Sequence, residues 1–233
     1  MATLLEEQKS YYEARAAEYD EWWERRGRYD LGAEGNALWR EEIRKVEAVF
    51  DMAPLRGHIL EPAAGSGNWT LYLARRAEKV TVLENSRSMI EVNRHRVQEA
   101  GQQGRVEYEE TDLLCWNPRA RYDAIFLGFW ISHLPSPVLD PFLLLMAAAL
   151  KPGGCLAILE GQRNARLRSA AQGTHRLDDE IELRTTNDGR TFRIVKRYDE
   201  PEELGERLKR AGLDAHVSTS GEQFLYALAF SPS

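Results

Sequence analysis

Glu61, Gly65, Gly67 and Glu84 fall within one run, HILEPAAGSGNWTLYLARRAEKVTVLE, from His58 to Glu84. Two glycines without a Cβ let a turn take unusual backbone angles and let a ligand approach the main chain. An acid closing the next apolar stretch stands where ribose hydroxyls can donate hydrogen bonds to it. The run reads as half of a nucleotide-binding βαβ unit. Asp112, in TDLLCWNP just after a third strand, has two readings: a carboxylate capping its own turn, the ordinary role of Asp there, or an adenine contact. His133, in ISHLPSP, also has two. Its imidazole could take a proton from a hydroxyl or a heteroaromatic N–H, or it could fix its loop. His58, His95, His175 and His216 read as surface or structural residues.

The elements that must position these residues alternate. Thr3 to Arg26 contains no Pro or Gly and spaces Tyr12, Ala16, Tyr19 and Trp23 three or four apart, which predicts one helix ended by Gly27. A second amphipathic helix is expected over Asn36 to Phe50 and another over Arg87 to Ala100. RYDAIFLGFW, Arg121 to Trp130, is the most apolar strand pattern and belongs in the middle of a sheet covered on both faces. An apolar helix from about Val138 ends at LKPGG, and CLAILEG is a buried strand. Gln162 to Glu180 has little periodicity and reads as an excursion. IELRTTNDGRTFRIVKRYD alternates on both sides of Asn187, Asp188 and Gly189, as a hairpin does. Pro201 opens a helix, and Ala215 to Thr219 and Phe224 to Phe230 are two strands. Strands alternating with helices imply a mostly parallel sheet.

The 233 residues suffice for one domain: a helical cap over 1–50, a cofactor core over 57–160, an insertion with a hairpin over 161–200, and a terminal helix with two strands over 201–233. A net charge of -6 without a basic run argues against nucleic acid. No window approaches the roughly 20 apolar residues of a membrane span, and a soluble, cytoplasmic protein is expected. Cys115 and Cys155 form no CxxC, and no acidic cluster or zinc spacing suggests a metal.

Several segments together resemble the class I S-adenosylmethionine-dependent methyltransferases of small molecules. The first motif of that family, an acid followed by a glycine turn, is similar to Glu61-Pro62-Ala63-Ala64-Gly65-Ser66-Gly67, with Ala63 where a glycine is usual. Its second acid matches Glu84, its third motif Thr111-Asp112-Leu113, and its fourth strand YDAIFLGFW followed by SHLP. The resemblance covers about residues 58 to 160. It implies a doubly wound, Rossmann-like, seven-stranded α/β sheet with helices on both faces, S-adenosylmethionine as cofactor and S-adenosylhomocysteine as product. It also implies residue roles. Glu61 would bind the amino end of the methionine moiety, while Ala63, Gly65 and Gly67 would let the cofactor pass close. Glu84 and Asn85 would face the ribose; Met89, Asp112 and Leu113 would surround the adenine. Phe129 and Trp130 would wall the methyl group, with His133 nearby as candidate base. YYEARAAEYDEWW resembles the leader of such enzymes, so Tyr12, Arg15, Tyr19, Trp22 and Trp23 are lid candidates.

The implied activity is methyl transfer to an O, N or C atom of a small organic molecule, with Trp22, Trp23, Tyr29 and Trp130 suggesting an aromatic one. Two readings compete. An NAD(P)-dependent oxidoreductase would want a third glycine where Thr70 stands, and a Tyr-x-x-x-Lys pair. A non-methylating cofactor-binding protein or a cyclase would keep the same motifs.

Overall fold

The computed structural model describes residues 2–162 and 174–233. Its centre is a seven-stranded sheet in the order β3-β2-β1-β4-β5-β10-β9. The strands are β1 (His58–Pro62), β2 (Lys79–Glu84), β3 (Val106–Glu110), β4 (Tyr122–Gly128), β5 (Leu150–Gly161), β9 (Asp214–Thr219) and β10 (Phe224–Phe230). β1 to β5 run parallel, and β10 pairs antiparallel with β5 and β9. This is the doubly wound sheet that the apolar pattern and the resemblance imply.

Neighbouring residues of β4 serve opposite faces, as strand geometry requires. Ile125 and Leu127 join Leu60, Leu83 and Ile158 under α6 (Ser136–Ala149) and the helix Pro201–Arg210. Ala124 and Phe126 join Ile59, Val80 and Val82 beneath α3 (Gly32–Met52) and α4 (Asn68–Ala74). Both faces are therefore covered, which is why β4 reads as an almost unbroken hydrophobic run. Chain order reverses between β1 and β4, and a crevice opens at such a switch point, beyond the carboxyl ends of the strands. The turns after β1, β2, β3, β4 and β5 all meet there. No helix among the described residues is long and apolar enough to cross a membrane.

The N-terminal segment departs from the single helix expected over Thr3 to Arg26. Helix α1 (Ala2–Arg15) ends in a 3-10 turn over Ala16–Glu18, and a short α2 (Tyr19–Glu24) stops at Arg25, whose φ is 56°. Spacing alone cannot show the break, because the aromatic stripe continues through it. α3 begins at Gly32, four residues before the expected start.

The insertion is a separate antiparallel sheet of β6 (Thr174–Arg176), β7 (Ile181–Thr185) and β8 (Thr191–Val195). The hairpin turn lies at Asn187 to Gly189 as its sequence predicts, and Thr174–Arg176 forms a third strand where only an irregular excursion is expected. The rest of that excursion, 163–173, lies outside the described residues. α1 lies on β8. Glu7 accepts from the Arg193 backbone at 2.6 Å and its guanidinium at 2.8 Å, and Gln8 accepts from the Val195 N–H at 2.8 Å. Helix and small sheet thus form one cap.

Glu42 of α3 anchors the far end of the main sheet. It is 1% exposed, and its carboxylate accepts from the Ser220 hydroxyl at 2.5 Å and from the Glu222 and Gln223 N–H groups at 3.0 and 2.9 Å. A buried donor that loses its acceptor costs about 1–3 kcal/mol. Glu42→Ala is expected to lower unfolding stability by about 2–3 kcal/mol, read as a shift of the urea midpoint at unchanged slope.

Candidate active site

The turn after β1 is built for close approach. Gly65 has φ 54°, and a Cβ there would meet nothing within 4 Å, so the space above it is open. Gly67, φ 86°, serves a different end: its Cβ would stand 2.5 Å from the side chain of Asn93. Asn93 donates to the Thr70 hydroxyl at 2.8 Å and accepts from Tyr108 at 2.8 Å, so Gly67 makes room for a buried polar bridge. Ala63 occupies the left-handed region at φ 54°, and Phe129 at 55°. Backbone held there without glycine is strained, and such strain concentrates at functional sites.

Glu84 ties the turns together. One carboxylate oxygen accepts from the Asn85 and Ser86 N–H groups at 2.9 and 3.0 Å; the other accepts from the Gly65 N–H at 3.0 Å. Burial pushes Glu84 upward while those three N–H groups oppose it. Glu61 is more isolated. Its Oε2 is buried without a hydrogen-bond partner, and burial pushes its carboxyl up to about 8, with Thr70 working the other way. A buried carboxylate with an orphaned oxygen suits a cationic ligand group, which would both satisfy the oxygen and stabilise its charge.

Two cavities meet at the carboxyl edge of the sheet. The larger, about 390 Å³, brings together Ala63, Gly65, Glu84, Asn85, Met89, Asp112, Leu113 and Trp130. Asp112 performs its ordinary turn role, accepting from the Leu114 N–H at 2.9 Å, and also lines this cavity. Glu61 opens instead onto a small recess beside Gly65. The second cavity, about 160 Å³, contains Arg15 and Trp22 and lies beneath the cap. Tyr12, Tyr19, Phe129 and His133 line both cavities and form the seam between them. Gly67 lines neither. Trp23 packs in a ring network instead, its centroid 5.2 Å from Trp39 and 6.0 Å from Trp69. Trp22 joins that network at 4.9 Å from Phe129, so these rings are explained by packing and do not by themselves call for an aromatic acceptor.

Two carboxylates of the N-terminal segment fasten it to the glycine turn and to the turn after β2. Glu13 accepts from the hydroxyls of Ser86 and Ser88, and Asp20 accepts from Ser66 at 3.0 Å and from Arg96 at 2.5 Å.

His133 stands at the seam in a defined tautomer. Its Nδ1 lies 2.7 Å from the Val195 carbonyl, which can only accept, so Nδ1 carries the hydrogen. Nε2 then accepts from the Tyr12 hydroxyl at 2.9 Å. Burial holds His133 well below the ordinary imidazole range, and the charges of Lys196, Arg184 and Arg15 push the same way. The ring is neutral, with its lone pair directed at the seam. Burial also raises Tyr12 and Tyr19, the latter to about 12, so both phenols keep their hydrogens at neutral pH.

Sequence reasoning missed the far wall of the second cavity: Arg25, Arg184, Lys196 and Gln223. The alternation in IELRT and FRIVK places Arg184 and Lys196 on regular positions of the hairpin, but alternation cannot say which face the body of the protein covers. Lys196 donates to Ser132 at 2.6 Å, and Ser132 donates to Glu160 at 2.7 Å.

Comparison with known proteins adds the following. A family model described as a methyltransferase domain matches residues 59–154. Among curated proteins, a ubiquinone/menaquinone biosynthesis C-methyltransferase, UbiE, of Francisella tularensis subsp. holarctica is 26% identical over 138 residues, 57% of this chain and 54% of that protein. The chain thus spans about half the length of the curated relatives it matches. A solved structure titled as a DhpI-SAM-HEP complex superposes with a TM-score of 0.76 at 31% identity over 97% of each chain. A DhpI-SAH complex gives 0.74 at 31% identity over the whole of both chains. The N-methyltransferase NodS of Bradyrhizobium japonicum WM9, at 18% identity and a TM-score of 0.62 over 96% of this chain and 98% of that one, shares the fold.

Proposed function

The chain belongs to the class I S-adenosylmethionine-dependent methyltransferases, and on that footing we propose that it transfers a methyl group from S-adenosylmethionine to a small organic acceptor held under the cap. The observation that carries this reading is the pair of cavities meeting at Tyr12, Tyr19, Phe129 and His133. When bound, S-adenosylmethionine supplies a methyl group on a positively charged sulfur, a leaving group that needs no further activation.

The chain's own residues then have three tasks. The open space over Gly65, the Glu84 carboxylate and the apolar Met89 and Leu113 receive the nucleoside, and the orphaned Glu61 oxygen receives the ammonium of the amino-acid end. The cap excludes water and aligns the acceptor, and orientation of that kind can supply roughly 7–11 kcal/mol of the acceleration in favourable cases. His133 Nε2 takes a proton where the acceptor carries one, with the Val195 carbonyl keeping Nδ1–H in place. Tyr12, which already donates to that nitrogen, yields its position to the acceptor or relays the proton.

We place the reaction in the cytoplasm, in secondary metabolism, on a free small molecule. Arg15, Arg25 and Lys196, which face the site, are buried, where a nucleic-acid backbone could not follow them.

Calorimetry tests the cofactor assignment. Both S-adenosylmethionine and S-adenosylhomocysteine should bind. Because burial holds Glu61 near 8 in the free protein, it is mostly protonated at pH 7, and an ammonium beside it lowers that value. Binding at pH 7 should therefore release close to one proton, read from heats in buffers of different ionisation enthalpy. No binding of either ligand, alongside clear NAD(P) binding, removes the methyltransferase reading.

The pH profile tests His133, using an acceptor found by labelled-methyl screening. A base acts unprotonated, and its depressed value leaves that form intact through the usual imidazole range. With S-adenosylmethionine saturating, so that Glu61 is already ionised against the ammonium, kcat/KM for the acceptor should stay flat as pH falls from 8 through 6.5 and drop only below. His133→Asn should lower kcat about 10²-fold or more and abolish that acid limb. Unchanged turnover across the range would take His133 out of the chemistry.

A further inference from the structure

Among the described residues, the cavity beneath the cap is lined by four cationic side chains, Arg15, Arg25, Arg184 and Lys196, and by no Asp or Glu. Two of the four have carboxylates behind them. Arg184 pairs with Glu182 at 2.6 Å, and Lys196 lies 3.9 Å from Glu160. Arg15 and Arg25 have none within ion-pair distance among the described residues, although they are only 6% and 7% exposed. Arg15 rests among rings, 4.9 Å from the centre of Tyr19 and 5.4 Å from that of Tyr29, with a hydrogen bond to the Tyr29 hydroxyl at 3.0 Å. Arg25 lies 5.6 Å from the centre of Trp39 and donates to the Trp22 carbonyl at 3.4 Å. Aromatic faces attract a cation but do not neutralise it.

The hydrogen-bond inventory points the same way. Arg15 Nε, Arg25 Nε and Gln223 Nε2 are buried without acceptors, and all three residues line this cavity. A buried Arg15 charge facing only rings, an Arg25 charge offset only by Asp30 from beyond ion-pair distance, and three unsatisfied donors are expensive in a folded protein unless a ligand of opposite character completes them.

Resting on the methyltransferase reading above, we infer that this cavity is the acceptor subsite and that the acceptor carries an oxyanion, a carboxylate or a phosphorus-centred one, held between Arg15 and Arg25 of the N-terminal segment and Arg184 of the small sheet with Lys196 just past its last strand. Arg guanidinium suits such a partner because it offers paired donors to planar and tetrahedral oxyanions alike. The 160 Å³ volume restricts the acceptor to a small molecule, and the seam at Tyr12 and His133 turns its remaining end toward the donor cavity. The anion thus acts as a handle. It selects acids over their neutral esters or amides and completes the cap from both sides.

The test uses the full chain without cofactor. Sodium phosphate, sodium acetate and sodium chloride are titrated at constant ionic strength, following tryptophan emission, since Trp22 and Trp39 line the cavity, and the thermal midpoint. Phosphate or acetate should give a saturable response that chloride does not. Tighter acetate assigns a carboxylate acceptor, and tighter phosphate a phosphorus oxyanion. Arg15→Gln and Arg25→Gln should each weaken that binding at least tenfold, Arg15→Lys should retain most of it, and Lys45→Gln on the outer face of α3 should change nothing. No response beyond chloride, or either folded Gln variant binding like wild type, overturns the inference. Cofactor calorimetry on the same proteins separates the two readings. Wild-type protein that binds S-adenosylhomocysteine but gives no anion response beyond chloride overturns the oxyanion subsite alone; wild-type protein that binds anions but fails to bind S-adenosylhomocysteine overturns the site's role as acceptor site together with the parent reading.

Discussion

Three hydrogen bonds among Gln8, His133 and Val195 join parts of the chain that no single element spans. Gln8 donates to the His133 carbonyl and accepts from the Val195 N–H, while the His133 ring donates to the Val195 carbonyl. One residue comes from the first helix, one from the loop after the central strand and one from the inserted sheet. All three groups are buried, so each bond lost would leave a polar atom without water to replace it. The cap's position over the sheet, the space beneath it and the orientation of the one imidazole at the seam follow from this junction together.

The junction also explains how a generic scaffold becomes a particular site. The carboxyl edge of the sheet supplies what a nucleoside needs in any protein of this architecture: an open glycine, an acid tied by three N–H groups, and apolar walls. Chemistry specific to this chain begins where the cap lands. Four cations from two distant segments line the space next to His133 among the described residues, and burial, with the charges of three of them, Lys196, Arg184 and Arg15, keeps that histidine neutral. In the proposed reaction the cations that would hold the acceptor are therefore also ones that would keep the base unprotonated.

Legibility in the sequence follows the range of the interactions involved. Local rules place β4, the Asn187 to Gly189 turn and the Pro201 helix correctly, because each depends on its own neighbours. Glu84, Asp112 and Gly65 gather at one edge, as expected from motifs that end strands. The break after Arg15 is invisible to spacing, since the aromatic stripe runs through it. Gly67 reads as a ligand contact but faces Asn93, a partner 26 residues away whose side chain no local pattern identifies. Arg184 and Lys196 are plain hairpin residues until the small sheet is seen folded against α1. What was legible is what strand ends and turns dictate; what was hidden depends on how the insertion docks.

A structure of the complex with S-adenosylhomocysteine and inorganic phosphate addresses the central claim most directly. The account places the nucleoside between Glu84, Met89 and Asp112, the amino group at Glu61, the sulfur facing the Tyr19, Phe129 and His133 seam, and phosphate among Arg15, Arg25, Arg184 and Lys196. Nucleoside density in the cationic cavity, or a sulfur directed away from the seam, would contradict it.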